Sequence, residues 1–247
     1  MRLLNSILHG LNAAPGPPAW LMPGGVHMWR GDVLGLTGAN VNTATDQIGT
    51  LTIASAAVKP TTVILPGASA RRGWRGAIVG GAQFLSGDPA LPEVMASGSV
   101  AYVVLVPAFL PGGAPMIYVT AGLAGAPGTD EISEFHIGLA PPNELGRKDA
   151  GGVADVVGPV APLGVLYDCI HTWTGGVEEL YRDGVLIAAA AIVQPTANVQ
   201  RWCIAGSAAH AFGFPSSVQY GEARTGNVKL GLADAAAFHA YRLAYYG

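Results

Sequence analysis

Short runs of apolar residues, separated by clusters of Gly, Pro, Asn and Asp, make up most of the chain from Trp20 onward. This pattern predicts a sandwich or barrel of many short strands. Residues 100–106 are apolar at every position, which predicts a central strand covered on both faces. Residues 132–139 alternate apolar with polar or small side chains, so one face of that strand is expected to be buried and the other to face solvent or a ligand.

Two elements near the end of the sequence are predicted from local pattern. Residues 179–187 contain the pair Asp183-Gly184, which supplies the two positive-φ positions of a type I′ hairpin turn. After it, apolar residues recur at helical spacing from Leu232 to Leu243. We expect a short helix there, with Gly247 placed where a left-handed cap can form.

Residues 1–18 have a different pattern. A short amphipathic stretch runs into Ala-Ala-Pro-Gly-Pro-Pro, which cannot continue a helix because proline lacks the N–H and clashes with the preceding turn. We interpret this part as an N-terminal arm and a stiff linker, which either docks on another subunit or packs on its own domain. Polar residues interrupt its apolar stretch, so we expect no secretory signal. Residues 19–247 are expected to form one domain.

The composition of the chain narrows the kinds of partner and environment that we expect for it. Half of the 247 residues are hydrophobic and only 12% are charged. The longest apolar runs, residues 100–110 and 185–193, are shorter than the roughly 20 residues of a spanning helix, so we expect no membrane insertion. The low charge favours a component of an assembly. The formal net charge of -3 gives no basic footprint for nucleic acid.

Sequence motifs for several enzyme and metal classes are absent. No Gly-x-Ser-x-Gly or Gly-x-Gly sequence occurs, and the six histidines never fall at the spacings that zinc sites reuse. Cys169 and Cys203 each lie in an apolar, strand-like segment, which predicts buried thiols. A disulfide between them stays an alternative that requires their strands to be neighbours.

From about residue 26 to its end, the chain resembles the concanavalin A-like (laminin-G-like) domains of bacteriophage virion proteins. The segment Val26-His-Met-Trp-Arg30 precedes Asp46-Gln-Ile-Gly49, and Gly73-Trp-Arg-Gly-Ala-Ile-Val79 follows. The Asp-Gly hairpin and the terminal helix then come in the family's order. The resemblance implies an all-β fold: a concanavalin A-like jelly-roll sandwich of two antiparallel sheets with a short C-terminal helix and an N-terminal arm.

One departure from that family concerns the start of the terminal helix. The family usually has Ser at the N-cap and Glu a few residues later, whereas this chain has Ala233 and Ala237. The cap hydrogen bond is then lost unless Asp234 supplies it.

The resemblance also implies a function. We expect a non-enzymatic virion structural protein, assembled in the host cytoplasm, that is exposed on the phage head or tail and binds host surface glycan. Its arm would contact other virion proteins, and a homotrimer is the expected oligomer. A purely structural capsid cement or decoration protein without a ligand is the alternative.

Two groups of side chains are candidates for binding glycan, because sugars need a flat aromatic ring and planar polar groups. One is Trp74 beside Arg72 and Arg75, and the other is Trp173 with His171. Tryptophans in a sandwich are more often core residues than binding residues, and this is the alternative interpretation of both groups. For Ca²⁺, carboxylates beside glycine in predicted turns are candidates, although turn formation explains them better: Asp32, Asp46 and Asp88.

A glycan hydrolase is the third functional alternative, because some concanavalin A-like folds hydrolyse glycans. Glu131 and Glu134 are the candidate carboxylates. Retaining glycosidases need two carboxyl groups about 5 Å apart. Residues three apart in a strand lie on opposite faces, and Ser133 stands near the place of the expected middle Asp, so we do not expect catalysis.

Overall fold

The computed structural model describes residues 20–55, 59–75, 85–91, 93–94, 96–107, 116–122, 131–137, 143–145, 156–192, 198–199, 201–204, 206–207, 212–213 and 218–247. The predicted arm, residues 1–18, lies outside them. The strands in chain order are β1 Gly25–Arg30, β2 Leu34–Thr37, β3 Asn40–Thr45, β4 Thr52–Ser55, β5 Thr61–Ile64, β6 Arg72–Arg75, β7 Leu85–Gly87, β8 Glu93–Val94, β9 Gly98–Leu105, β10 Met116–Gly122, β11 Glu131–Ile137, β12 Asn143–Leu145, β13 Val157–Val160, β14 Leu166–Thr174, β15 Val177–Arg182, β16 Val185–Ala191, β17 Asn198–Val199, β18 Arg201–Ile204, β19 Gly206–Ser207, β20 Phe212–Gly213 and β21 Gln219–Gly226. The helix α1 spans Leu232–Tyr246.

Antiparallel pairing organises these strands into two main sheets. In the helix-side sheet the order is β1-β21-β9-β14-β15-β16. In the opposite sheet it is β2-β3-β4-β7-β18-β10-β11-β12-β13. The β5–β6 hairpin joins the two at one edge, because β6 pairs with β21 while β5 meets β3. The antiparallel two-sheet architecture predicted from the sequence is confirmed.

Strand β9 is buried along its whole length, as the continuous apolar pattern predicts. Val100, Tyr102 and Val104 face the opposite sheet and belong to a core that includes Trp29 and Trp202. The alternate residues Ala101, Val103 and Leu105 pack in a second core with Phe238 and Tyr241 of α1. Each large side chain buried in this way contributes roughly 1.5–3 kcal/mol. Helix α1 therefore forms a third layer over the helix-side sheet.

The predicted turn between β15 and β16 is confirmed. Asp183 and Gly184 have φ angles of 48° and 77°, as a type I′ turn requires. Arg182 and Val185 are paired across it. The turn thereby sets the register of the exposed edge strand β16 on β15.

The predicted terminal helix is also confirmed, with its N-cap at Gly231 rather than near Ala233. Glycine has no side chain to cap the first turn, but the Gly231 N–H donates a hydrogen bond of 2.9 Å to the Asp234 carboxylate. Asp234 thus supplies the missing cap interaction, and its negative charge lies at the favourable end of the helix dipole. At the other end, the Gly247 N–H donates to the Leu243 carbonyl oxygen.

Cys169 and Cys203 are buried thiols that form no disulfide. Cys169 lies in β14 of the helix-side sheet, whereas Cys203 lies in β18 of the opposite sheet. Their strands are not neighbours, so the condition for pairing is not met. Within the described residues, no helix combines the length and apolar character needed to cross a membrane.

Candidate functional site

The two tryptophans of the predicted glycan-binding groups are core residues. Trp74 has no exposed surface and stacks on Tyr220, with ring centroids 5.7 Å apart. Trp173 is equally buried and lies 5.1 Å from the ring of His171. A ring that is covered by protein on both faces cannot stack on a sugar, so Trp74 and Trp173 are core residues and not binding residues.

The polar members of the two groups are separated from each other. His171 is buried in β14 and pairs with the carboxylate of Glu178, also in the core. Arg72 is exposed and Arg75 is half-buried, both on β6. Of the five predicted residues, only these two arginines are accessible to a ligand, and whether they bind glycan stays a prediction.

The three aspartates considered for Ca²⁺ bond to protein donors. Asp46 accepts hydrogen bonds from the backbone N–H groups of Met28 and Ile48, so it shapes its turn. Asp32 pairs with Arg30, and Asp88 forms a two-pronged ion pair with Arg201. Asp46 therefore has the turn role that the sequence predicts, whereas Asp32 and Asp88 form ion pairs, and whether any of the three binds Ca²⁺ stays a prediction.

Among the described residues, Asp168, Asp183 and His239 form a group close enough to share a metal ion. Arg242, however, donates hydrogen bonds to both carboxylates, at 3.1 Å and 2.7 Å. A guanidinium already supplies the positive charge that a cation would bring. This group therefore joins α1 to the β15–β16 turn.

The two glutamates of the hydrolase alternative both lie in β11, opposite Gly122 and Thr120 of β10. Glu131 and Glu134 are thus three residues apart in one strand, as the sequence indicates. Their role in catalysis stays a prediction.

A cavity of about 490 Å³ opens at the edge of the sandwich beside β1 and β8. Its walls come from β1, the segment that leads into β4, and the segment between β7 and β8. The lining residues are His27, Thr50, Leu51, Asp88, Pro89, Ala90, Leu91 and Glu93. We call this space the His27 cavity.

A chain of hydrogen bonds fixes one wall of the His27 cavity. His27 Nδ1 is 2.5 Å from Asp46 Oδ2, and His27 Nε2 is 2.6 Å from Glu93 Oε1. The other Glu93 oxygen accepts a hydrogen bond of 2.8 Å from the indole N–H of Trp202. We call these four residues the His27 cluster. It joins β1, β8 and β18 and orients the Glu93 carboxylate.

The two carboxylates determine the charge of His27. Burial alone lowers the pKa of His27, but hydrogen bonds to Asp46 and Glu93 outweigh it and raise the pKa to about 9. Burial likewise raises the pKa of Asp46, but hydrogen bonds from His27 and from backbone N–H groups lower it to about 2. At neutral pH, therefore, an imidazolium lies between two acceptors and donates from both nitrogens.

At the rim of the cavity, Asp88 is more exposed than Glu93. The hydrogen bond from Arg201 lowers the pKa of Asp88, so this carboxylate is ionised at neutral pH. Leu91 is 77% exposed beside it and offers an apolar contact. Together the walls present the carboxyl groups of Asp88 and Glu93 as acceptors, with apolar edges beside them. Such a surface can bind a hydroxyl-rich ligand of small size.

Four residues of this region were not predicted as site residues from the sequence: His27, Glu93, Arg201 and Trp202. His27 and Asp46 lie in the two segments that carry the family resemblance, and this is the one sequence signal that could have pointed to them as site residues. Glu93 lies 66 residues from His27 in the chain, and no local pattern connects them.

No protein-family model matches the sequence, and no curated protein matches it significantly. Solved structures do match its fold. Trypanosoma rangeli sialidase in complex with sialic acid superposes with a TM-score of 0.62 at 16% identity, over 96% of this chain and 38% of that chain. The binding domain of Paraclostridial Mosquitocidal Protein 1 superposes with a TM-score of 0.63 at 10% identity, over 88% of this chain and 52% of that chain. The botulinum neurotoxin serotype D binding domain superposes with a TM-score of 0.59 at 9% identity, over 88% of this chain and 51% of that chain.

These similarities confirm the concanavalin A-like jelly roll predicted from the sequence, the fold of lectin-like binding domains. Identities this low show the fold alone. The chain also spans only about a third to a half of the lengths of the chains it matches. The expected place on a phage particle is not supported by them and stays a prediction.

Proposed function

We propose that the chain is a non-enzymatic glycan-binding domain whose ligand is a neutral, hydroxyl-rich sugar held in the His27 cavity. The observation that carries this proposal is the fixed Glu93 carboxylate at the cavity wall, hydrogen-bonded to His27 and Trp202. Carboxylates accept hydrogen bonds from sugar hydroxyls, and an oriented acceptor binds at a smaller entropic cost than a mobile one.

The dimensions and charge of the cavity support this ligand class. A volume of about 490 Å³ lies within the range of roughly 300–1,000 Å³ that small-ligand sites occupy. The ionised Asp88 would repel an anionic sugar, whereas neutral hydroxyls can donate to the carboxyl oxygens of both Asp88 and Glu93. The exposed Leu91 can contact the apolar face of a sugar ring.

The protonation states support binding rather than catalysis. A general base needs a free lone pair, but His27 is protonated and donates from both nitrogens. A general acid for glycoside cleavage needs a raised pKa, but Arg201 lowers the pKa of Asp88. A hydrolase that uses Glu131 and Glu134 is the third alternative, and Gln at both positions would abolish any turnover of host polysaccharide.

In its biological setting, the domain would belong to a phage virion and bind host surface glycan. The low charge of the sequence and its N-terminal arm favour attachment to other virion proteins, with a homotrimer as the expected oligomer. A structural cement or decoration protein without a ligand is the second candidate, favoured by the same low charge. Mass spectrometry of purified particles, with and without the gene, tests the virion assignment.

A glycan array with the purified chain tests ligand binding. The variant Ala90→Trp places an indole in the lining of the cavity and should abolish binding of neutral glycans. Ala240→Trp makes the same substitution at an exposed position of α1 and should leave binding unchanged. An array without neutral hits, or equal binding by both variants, contradicts the proposed site.

A further inference from the structure

The β5–β6 hairpin carries positive charge that the His27 cavity does not use. No Asp or Glu occurs in the sequence between Asp46 and Asp88, whereas four cations fall inside that interval: Lys59, Arg71, Arg72 and Arg75. We call residues 59–75, with these four side chains, the basic hairpin. Its local charge is opposite in sign to the formal net charge of -3 of the whole chain.

None of the four cations has a carboxylate partner among the described residues. Lys59 donates to the side-chain oxygen of Asn42, and Arg71 donates to the carbonyl oxygen of Tyr245. No ion pair within the described part of the chain involves Arg72, which is exposed, or Arg75, which is half-buried. The carboxylate of Asp32, which contacts the same Tyr245, is already paired with Arg30. Within the described residues, therefore, no carboxylate neutralises the hairpin charge.

Backbone hydrogen bonds and a ring contact tie the basic hairpin to its neighbours. Arg71 stacks on the ring of Tyr245 at 4.0 Å, and the Leu65 N–H donates to the Arg71 carbonyl oxygen at 2.8 Å. At the start of the hairpin, the Val41 N–H donates to the Pro60 carbonyl oxygen at 2.8 Å. A fixed backbone reduces the entropy lost when a ligand binds.

The spacing of the charges suits an extended ligand. Arg71 lies against α1 just before β6 begins, and Arg75 stands at the far end of β6, four residues further along the chain. Their Cα atoms are about 13 Å apart at 3.3 Å per residue. One small anion cannot bridge this distance, whereas successive charges on a polymer can. Arg72 extends the positive surface around the edge of the hairpin.

We propose that the basic hairpin binds an acidic polysaccharide, with its guanidinium groups on the carboxylate or sulfate groups of the polymer. This inference deepens the proposed function, because it rests on glycan as the ligand class and adds a second, anionic site. The net charge of -3 and the pI near 6.0 favour a polysaccharide over nucleic acid, whose binding domains are generally basic overall. Gly31, which follows β1 and contacts the Arg72 backbone, lies four residues beyond His27 in the chain, and none of the residues that line the His27 cavity belongs to the basic hairpin.

Fluorescence anisotropy with labelled heparin oligosaccharide and with hyaluronate tests the proposal, at 50 and 300 mM NaCl. We expect binding of at least one of the two that weakens steeply with salt. The double variant Arg72→Gln/Arg75→Gln should weaken it about tenfold or more, since each charged hydrogen bond is worth ~1.5–3 kcal/mol. The matched control, Arg182→Gln/Lys229→Gln, removes the same charge elsewhere and should change it less than about twofold.

An equal loss of affinity for the polymers in both double variants would show non-specific electrostatic attraction and overturn the proposal. So would absence of binding to both polymers at 50 mM NaCl, or tighter binding to single-stranded DNA or to phosphatidylserine vesicles. Ala90→Trp separates the two sites, since it should leave heparin and hyaluronate binding unchanged while abolishing neutral glycan binding. Unchanged melting temperatures would show that the variants are folded.

Discussion

His27 and Glu93 are joined by a hydrogen bond of 2.6 Å between Nε2 and Oε1, and this contact ties β1 to β8 at the wall of the cavity. Since Asp46 holds the other nitrogen, the ring is oriented from both sides. A single imidazolium thus determines both the geometry of the candidate site and part of the stability of the fold.

The first prediction concerns alkaline pH. The pKa of His27 is raised from 6.5 to about 9 in the folded chain, so its contribution to stability is complete below pH 6.5 and is lost as the pH rises through 9. The loss should approach about 3 kcal/mol in the free energy of unfolding. Urea unfolding at pH 6 and 9.5 measures it, and His27→Gln should remove this part of the pH dependence. If the free energy of unfolding fell by the same amount between pH 6 and 9.5 in both proteins, the assignment to His27 would be contradicted.

The second prediction concerns the contact between β1 and the basic hairpin. A Cβ atom on Gly31 would lie 2.1 Å from the Arg72 carbonyl oxygen and 2.6 Å from Gly73 Cα. Gly31→Ala should therefore destabilise the protein by roughly 1–3 kcal/mol, because backbone must move. Gly231→Ala is the comparison, since its Cβ would meet Asp234 Oδ2 only at 4.0 Å and the variant loses only the N-cap preference for Gly over Ala, a cost of about 1 kcal/mol or less. Thermal melts of the two variants should differ clearly, and equal melts would refute the close approach.

The third prediction concerns a charge pair beneath α1. Glu222 is fully buried and accepts hydrogen bonds from Arg224 and from the hydroxyl groups of Tyr241 and Tyr246. Arg224→Met should cost about 3–5 kcal/mol, because it leaves a buried carboxylate without its cation. Adding Glu222→Gln should recover part of that loss. Denaturant unfolding measures both, and a double variant less stable than the single one would show that the pair is not the cause.

The fourth prediction separates two roles of Asp183. Its φ of 48° suits Asp or Asn, and its carboxylate receives a hydrogen bond of 2.7 Å from Arg242 of α1. Asp183→Asn keeps the turn preference and loses the ion pair, whereas Asp183→Ala loses both. We expect melting temperatures in the order wild type, Asn, Ala, with Ala about 1–2 kcal/mol less stable than wild type. An Ala variant as stable as the Asn variant would mean that turn conformation contributes little.

Local elements of the fold were predictable because their causes are local. An Asp-Gly pair can form its turn wherever strands flank it, and the helical spacing after Leu232 requires only neighbours along the sequence. The two-face burial of β9 was visible as an uninterrupted apolar run. The N-cap at Gly231 was missed, since several small residues in that segment fit a helix start.

The candidate site was harder to predict because its residues are brought together by strand pairing over long sequence distances. Glu93 bonds to both His27 and Trp202, and neither lies near it in the sequence. The fate of Trp74 shows the same limit. It shares a strand face with Arg72, but the Trp74 ring lies against Tyr220 in the core, whereas Arg72 lies at the turn end of the hairpin, opposite Ile64, and is exposed. The alternation of side chains along a strand predicts which face a residue lies on. It does not predict at which residue the neighbouring elements cease to bury that face.

The position of β9 has a consequence for how the molecule opens. Its backbone is paired with β14 on one side and β21 on the other, and its side chains fill cores on both faces. Its amide hydrogens can therefore exchange with solvent only when the whole sandwich unfolds, unlike those of the edge strand β16. Amide exchange in β9 would thus report the global free energy of unfolding directly, without added denaturant.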